Sequence, residues 1–181
     1  MTPDRATVVG EPGAGWHLQP LERQELALAY PLLQVVEPEP ISRQAWQRRA
    51  STWMSRHDLA GARGIMTIRS AQGVIFALFF YRIDFRAAAA GSGLIVPYLR
   101  LLEPGGRSHT IRAVLDAVER VARDSLCSYA LIENEAFEDT FQGFEQAWTR
   151  VAGENAFIRH AMGWFKALPS ANSNLIVLPH H

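Results

Sequence analysis

The sequence predicts an α/β fold, and two observations predict it. One is a hairpin pattern: the apolar runs "RGIMTIRS" and "GVIFALFFYRIDF" flank a turn-rich "SAQG" that ends in glycine. The other is a set of amphipathic helices alternating with short apolar strands, clearest in "RSHTIRAVLDAVERVA". With 181 residues, 48% of them hydrophobic and 20% charged, the chain has the material for one sizeable core.

The elements follow in order. "MTPDRATVVGEPGAG" reads as a loose tail over residues 1–15, from its Pro and Gly content, and residues 16–181 read as a single domain. "WHLQPL" is a short first strand. "ERQELALAYPLLQVV" spaces Leu26, Ala29, Leu32 and Leu33 as one face of a helix, with Pro31 as a kink or a new start. "EPEP" breaks the chain. Ser42 is a good N-cap for "RQAWQRRASTWMSRH", whose apolar face is Trp46, Ala50, Trp53 and Met54.

The hairpin comes next. Its second strand is apolar on both faces, which predicts a central position covered on both sides. "LIVPYLRLL" is the following strand. Pro97 cannot donate to a ladder, so an edge, a bulge or a splay is expected there. A helix from about Ser108 to Asp124 buries Ile111, Val114, Leu115, Val118 and Val121. It sets Asp116 before Arg120 and Glu119 before Arg123 at i,i+4 spacing. "SYALIEN" is a strand. "FEDTFQGFEQAWTRVAG" is a helix with Phe141, Phe144, Ala147, Trp148 and Val151 inward, closed by Gly153. "AFIRHAMGWFKAL" is a late strand, and "NLIVL" offers one more.

Composition narrows the function classes. Formal net charge is zero, which speaks against nucleic-acid phosphates and acidic membrane surfaces as partners. Lys166 is the only lysine among 18 basic residues, so any anion contact falls to arginine, which suits bidentate geometry. The N-terminus lacks the order of a signal peptide, and no apolar run is long enough to span a bilayer, so a cytoplasmic protein is expected. Cys127 is the single cysteine and reads as a buried, inert thiol. His57, His109 and His160 have no partner at ligand spacing, so no metal site is expected. No nucleophile-elbow pattern supports a hydrolase triad.

The order of strand, two helices, hairpin, strand, helix, strand, helix, strand resembles the GCN5-related N-acetyltransferase (GNAT) superfamily over roughly Trp16 to Leu168. Three features carry the resemblance: "LIVPYLRLLEPGGRSHTIRAVLDAVERVA", Asn134 at the end of "YALIEN", and the helix, Gly and apolar strand after it. The resemblance implies a mixed, mostly antiparallel, twisted sheet with helices on both faces. It also implies a slot between two splayed parallel strands that holds acetyl-coenzyme A. The pyrophosphate would sit at the following helix N-terminus, where free N–H groups and the positive dipole end favour an anion.

Two departures stand beside it. The family's loop reads Gln or Arg, two residues, Gly, one residue, Gly or Ala. Aligned on "RAVLDAVERVA", those positions fall on Gly106, His109 and Ile111, so the small residues are absent. The tyrosine that often serves as general acid is replaced by Trp148 and Thr149.

The candidate cofactor-binding residues are therefore Leu101, Leu102, Gly105, Gly106, Arg107, Ser108, His109, Thr110 and Asn134. "PGGRSHT" is open to two readings: an anion cradle, or a Gly turn with Ser108 as N-cap. Glu103 and Glu133 end neighbouring strands and are the candidate proton acceptors, against a reading as solvated strand-end acids. Trp46, Trp53 and Phe137 are candidates for the wall of an acceptor pocket, against a reading as core. The expected activity is transfer of an acyl group from acetyl-coenzyme A to a small-molecule or peptide amine. The alternative is a non-catalytic member of the fold that binds another ligand or a protein. A homodimer is left open.

Overall fold

The computed structural model describes residues 7–9, 16–37, 39, 41–55, 62–85, 91–102, 107–137 and 145–169. Eight strands form one sheet in the order β1-β2-β3-β4-β5-β6-β8-β7. They are β1 (Thr7–Val9), β2 (Trp16–Pro20), β3 (Arg63–Arg69), β4 (Ile75–Asp84), β5 (Gly93–Leu101), β6 (Tyr129–Glu133), β7 (Ile158–His160) and β8 (Gly163–Ala167). Every pairing is antiparallel except that of β5 with β6. The mixed, mostly antiparallel sheet is the expected one.

Helices cover both faces. On one lie α1 (Leu26–Val36) and α2 (Arg43–Ser55), packed through Leu33, Trp46 and Ala50 onto Ile65, Leu78 and Phe80. On the other lie α3 (Arg107–Asp124) and α4 (Glu145–Glu154), packed through Ile111, Leu115 and Trp148 onto Phe79, Leu94 and Val96. Alternation along β4 sends Leu78 and Phe80 one way and Ala77 and Phe79 the other, which is why this strand is apolar throughout. α1 continues through Pro31 without a second start. The Trp46 indole N–H donates to the Leu26 carbonyl at 2.7 Å, tying α2 to α1.

Several sequence expectations need correction. Thr7–Val9 is not loose tail, because these residues add an edge strand to β2. The late "strand" is two: β7 and β8 turn at residues 161–162. Gly163 opens β8 at φ 150°, and a Cβ there would lie 2.0 Å from the Ile132 carbonyl oxygen, so this turn needs glycine. Gly153 lies inside α4, and Ala156 at φ 59° ends the helix instead. α3 ends the same way at Leu126, φ 56°, with the Cys127 N–H reaching back to the Ala122 carbonyl at 2.8 Å. Arg120 approaches Asp124 at 3.8 Å rather than Asp116, whereas Arg123 pairs with Glu119 as expected. Phe141, Phe144 and "NLIVL" lie outside the described residues.

Ser42 caps α2 as predicted, its Oγ accepting the Ala45 N–H at 3.1 Å. Burial pushes the Cys127 thiol up. Among the described residues, no helix is long and apolar enough to cross a membrane.

The 3-10 turn Arg23–Glu25 that precedes α1 is fixed to the sheet by a fork. Arg69 Nη1 and Nη2 donate to the two Glu25 carboxylate oxygens at 3.0 and 2.9 Å. These hydrogen bonds hold the Glu25 carboxyl below its ordinary value, against the opposing effect of burial. A depressed folded-state value means the pair stabilises fully at neutral pH and loses that contribution as pH falls through the lowered value. Glu25→Gln is therefore expected to melt below wild type at pH 7, with the two melting temperatures converging in acid. Thermal unfolding measured from pH 7 down to pH 3 checks this.

Candidate functional site

The site begins with the imino acid at Pro97. Parallel pairing of β5 with β6 runs from Gly93↔Tyr129 to Val96↔Ile132 and stops there. On the other side of β5, the register with β4 shifts between Phe80↔Tyr98 and Arg82↔Ile95, leaving two residues of β5, Val96 and Pro97, against one of β4, Tyr81. That is a bulge at Val96–Pro97, where the missing N–H removes a ladder bond. Beyond it Tyr98–Leu101 stays on β4, while the other chain leaves β6 and winds into a 3-10 turn, Asn134–Phe137. The two strands part here, at the place of the expected slot, with the 3-10 turn packed beside the end of β5, and α3 starts six residues after β5 ends.

The N-terminus of α3 carries unexpected charge. Arg150 on α4 donates to Ser108 Oγ at 2.6 Å. One turn further along both helices, Arg112 meets Glu154 at 2.8 Å, so α3 and α4 run parallel. A guanidinium is thus held at the positive end of the α3 dipole, an unfavourable placement that an anion would relieve. Ser108 is not the N-cap: it is the second residue of the helix, and its hydroxyl is taken by Arg150. Thr110 is fully buried, and its Oγ1 has no partner among the described residues.

A cavity of about 540 Å3 lies on the α2 side of the bulge, lined by Ala45, Arg48, Arg49, Thr52, Trp53, Phe80, Pro97 and Tyr98. Behind its aromatic floor sits a buried carboxylate. Glu37, 9% exposed, accepts from the Tyr98 hydroxyl and from Arg100 Nη2 at 3.2 Å, with Arg49 Nη1 4.0 Å away. The guanidiniums of Arg49 and Arg100 stack on the Tyr98 ring at 4.1 and 4.2 Å. Burial first, and then the bond to Glu37, push the Tyr98 hydroxyl well above the ordinary tyrosine value. Arg100 also donates to the carbonyls of Leu99 at 2.9 Å and Ala136 at 3.2 Å, reaching from β5 to the 3-10 turn across the slot.

Solved structures of low sequence identity share the fold. The aminoglycoside 6'-N-acetyltransferase AAC(6')-Ih from Acinetobacter baumannii is 13% identical, with a TM-score of 0.51 over 74% of this chain and 89% of that one. A mutant of the spermidine N-acetyltransferase SpeG from Vibrio cholerae is 12% identical, with a TM-score of 0.55 over 82% and 83%. A chain of the NatC complex bound to Gag peptide and CoA is 12% identical, with a TM-score of 0.55 over 85% and 99%. The chain has the GNAT fold. No family model and no curated protein matches its sequence.

On the GNAT scaffold the expected residues are placed as follows. Leu101 is buried at the end of β5, and Leu102 is half-buried with its N–H on the Phe76 carbonyl at 2.7 Å. Glu103, Gly105 and Gly106 lie outside the described residues, and of Arg107 only the helical backbone is described. His109 stands edge-on to Trp16, with ring centroids 5.3 Å apart. Asn134 begins the 3-10 turn and donates to the Ala161 carbonyl at 2.9 Å, bracing the β7–β8 turn. Glu133 ends β6 paired with Arg82 at 3.0 Å.

Of the aromatic candidates, Trp53 lines the cavity, Trp46 is wholly buried in the core, and the Phe137 side chain lies outside the described set. Sequence reasoning missed Glu37, Arg48, Arg49, Tyr98, Arg100 and Arg150. The available signal was Arg100, a charge inside an otherwise apolar strand two residues from a tyrosine, which asks for a buried carboxylate.

Arg100→Met strips Glu37 of its closest cation and is expected to cost about 3–5 kcal/mol, the usual loss when one partner of a buried pair is removed. Adding Glu37→Gln should recover much of it. Chemical denaturation of the single and double variants measures both.

Proposed function

We propose that the protein transfers an acetyl or related acyl group from acetyl-coenzyme A to an amine. The observation that supports this most is the parting of β5 from β6 at Pro97, with the α3 N-terminus and the Arg150 guanidinium beyond it. The chain's groups suit the ligand. A helix start bearing Arg150 and Ser108 favours the pyrophosphate. After Val96, β5 no longer pairs with β6, and a backbone N–H of that edge would serve the acyl carbonyl. Acetyl-coenzyme A supplies an activated thioester, whose C–S bond gives way to the new C–N bond.

The protein's part is to align amine and acyl carbon and to collect a proton. Glu103 and Glu133 are the proposed acceptors of that proton, directly or through water. At Glu133 protonation gives up the ion pair with Arg82. Leu101, Leu102, Gly105, Gly106, Arg107, His109, Thr110 and Asn134 remain the proposed surroundings of the cofactor. The reading carries with it the sequence's expectation of a cytoplasmic protein.

One observation favours the non-catalytic alternative. Arg100 bonds the Leu99 and Ala136 carbonyls across the slot, and a bound arm must share or displace that bridge.

Acetyl-coenzyme A is expected to raise the melting temperature, since a ligand at a hundred times its Kd stabilises by about 2.7 kcal/mol. Arg150→Ala should weaken binding about ten- to a hundredfold by removing a charge-assisted contact. No shift at millimolar acetyl-coenzyme A would remove the reading.

Turnover separates enzyme from binding module. Free thiol should appear when amines are offered with acetyl-coenzyme A, and should fall in Glu103→Gln or Glu133→Gln. Unchanged rates in both variants across pH would exclude these acids, and stabilisation without thiol release would select the alternative.

A further inference from the structure

We propose that the amine acceptor also carries an anionic group, held by Arg48 and Arg49, and an apolar or aromatic body, seated on Trp53, Phe80 and Tyr98. This rests on the acyl-transfer reading above and narrows its acceptor. The cavity that carries the proposal has a volume of about 540 Å3, within the range of small-ligand sites. Its Pro97 and Tyr98 end lies where β5 leaves β6, so an amine placed there lies beside the slot. Its α2 side carries Arg48 and Thr52, one helical turn apart on one face, with Arg49 next to them.

The charge balance is one-sided. None of the described lining residues is acidic. Glu37, the carboxylate that bonds the Tyr98 hydroxyl, is held by Arg100 at 3.2 Å, with Arg49 farther off at 4.0 Å. Arg49 keeps its guanidinium in the cavity wall. Arg48 adds a second charge at the rim. Arg63 stacks its guanidinium on the Trp53 ring at 4.9 Å, behind the same wall.

Tyr98 fixes Arg49 by stacking, so this cation is pre-set and gives up less rotamer freedom on binding. Such a lining repels polycations. It therefore differs in charge logic from what spermidine or an aminoglycoside requires, the molecules named for two of the fold neighbours. A carboxylate suits the paired guanidiniums through bidentate hydrogen bonds, and a phosphate offers the same chemistry.

The test uses the full chain with acetyl-coenzyme A and four acceptors: phenylalanine, tyramine O-phosphate, phenethylamine and spermidine. At least one of the two anionic aromatic amines should exceed phenethylamine in kcat/KM by tenfold or more, and which one does identifies the anion. Arg48→Gln should bring that ratio down about tenfold toward unity, through KM. The ratio is insensitive to the fraction of folded enzyme. Spermidine or phenethylamine as the preferred acceptor, or a ratio unmoved by Arg48→Gln, overturns the proposal.

Calorimetry of N-acetylphenylalanine and N-acetyltyramine O-phosphate with the unliganded protein distinguishes this failure from that of the acyl-transfer reading. Binding of either that weakens in Arg48→Gln supports the anion site even where acetyl-coenzyme A neither binds nor turns over. Binding of neither overturns the anion site even where turnover is found.

Discussion

The missing N–H of Pro97 governs the centre of this molecule. A β-ladder is held by bonds repeated at every second residue, and one imino acid in the middle strand interrupts it. β5 absorbs the interruption as a bulge against β4 and as the end of pairing against β6. The consequences spread from there. Tyr98 moves into the wall of the cavity, and the chain after Glu133 is released into a 3-10 turn. A proline that weakens a sheet locally thus helps to shape the wall of the cavity.

Burying a carboxylate beside such an opening is costly unless its charge is answered. Glu37 sits at the C-terminal end of α1, where the helix dipole is itself negative. The fold answers with Arg100 from β5, Arg49 from α2 and the Tyr98 hydroxyl, so that one side chain links three elements around the cavity. The same Arg49 also lines the cavity and stacks on Tyr98, so the contacts that hold Glu37 also set a guanidinium in the wall.

The other face repeats the theme differently. Parallel packing of α3 and α4 brings Arg150 to the start of α3, where cation and dipole end repel each other. The chain is neutral as a whole, yet the cavity wall carries Arg48 and Arg49 and the start of α3 carries Arg150. Net charge said nothing about this, because function depends on where charges converge and not on their sum.

Much of the architecture was determined by the sequence alone. Period-two runs and the "SAQG" turn specified the β3–β4 hairpin, 3.6-residue spacing specified α1, α2 and α3, and Pro97 marked the interrupted strand. These are local properties, set by backbone sterics and by which face of an element is apolar. Element ends were less legible. Leu126 and Ala156 hold left-handed helix termini that glycine usually marks, and the turn at residues 161–162 lies in a run that reads as one apolar strand. There packing overrides residue preference.

The candidate site divides the same way. The break in the ladder at Pro97 was readable; the charges that gather around it were not. Glu37 and Arg100 are 63 residues apart and Ser108 and Arg150 are 42 apart, and no spacing rule joins residues so distant. Ser108 as a cap and Thr7–Val9 as tail were reasonable from neighbours in sequence and failed on neighbours in space, whereas Trp46 packs in the core as its spacing suggested. Tertiary structure alone decided which charges meet, because electrostatic partners are chosen by a few ångströms of distance and by burial, and both exist only once the sheet and helices have packed.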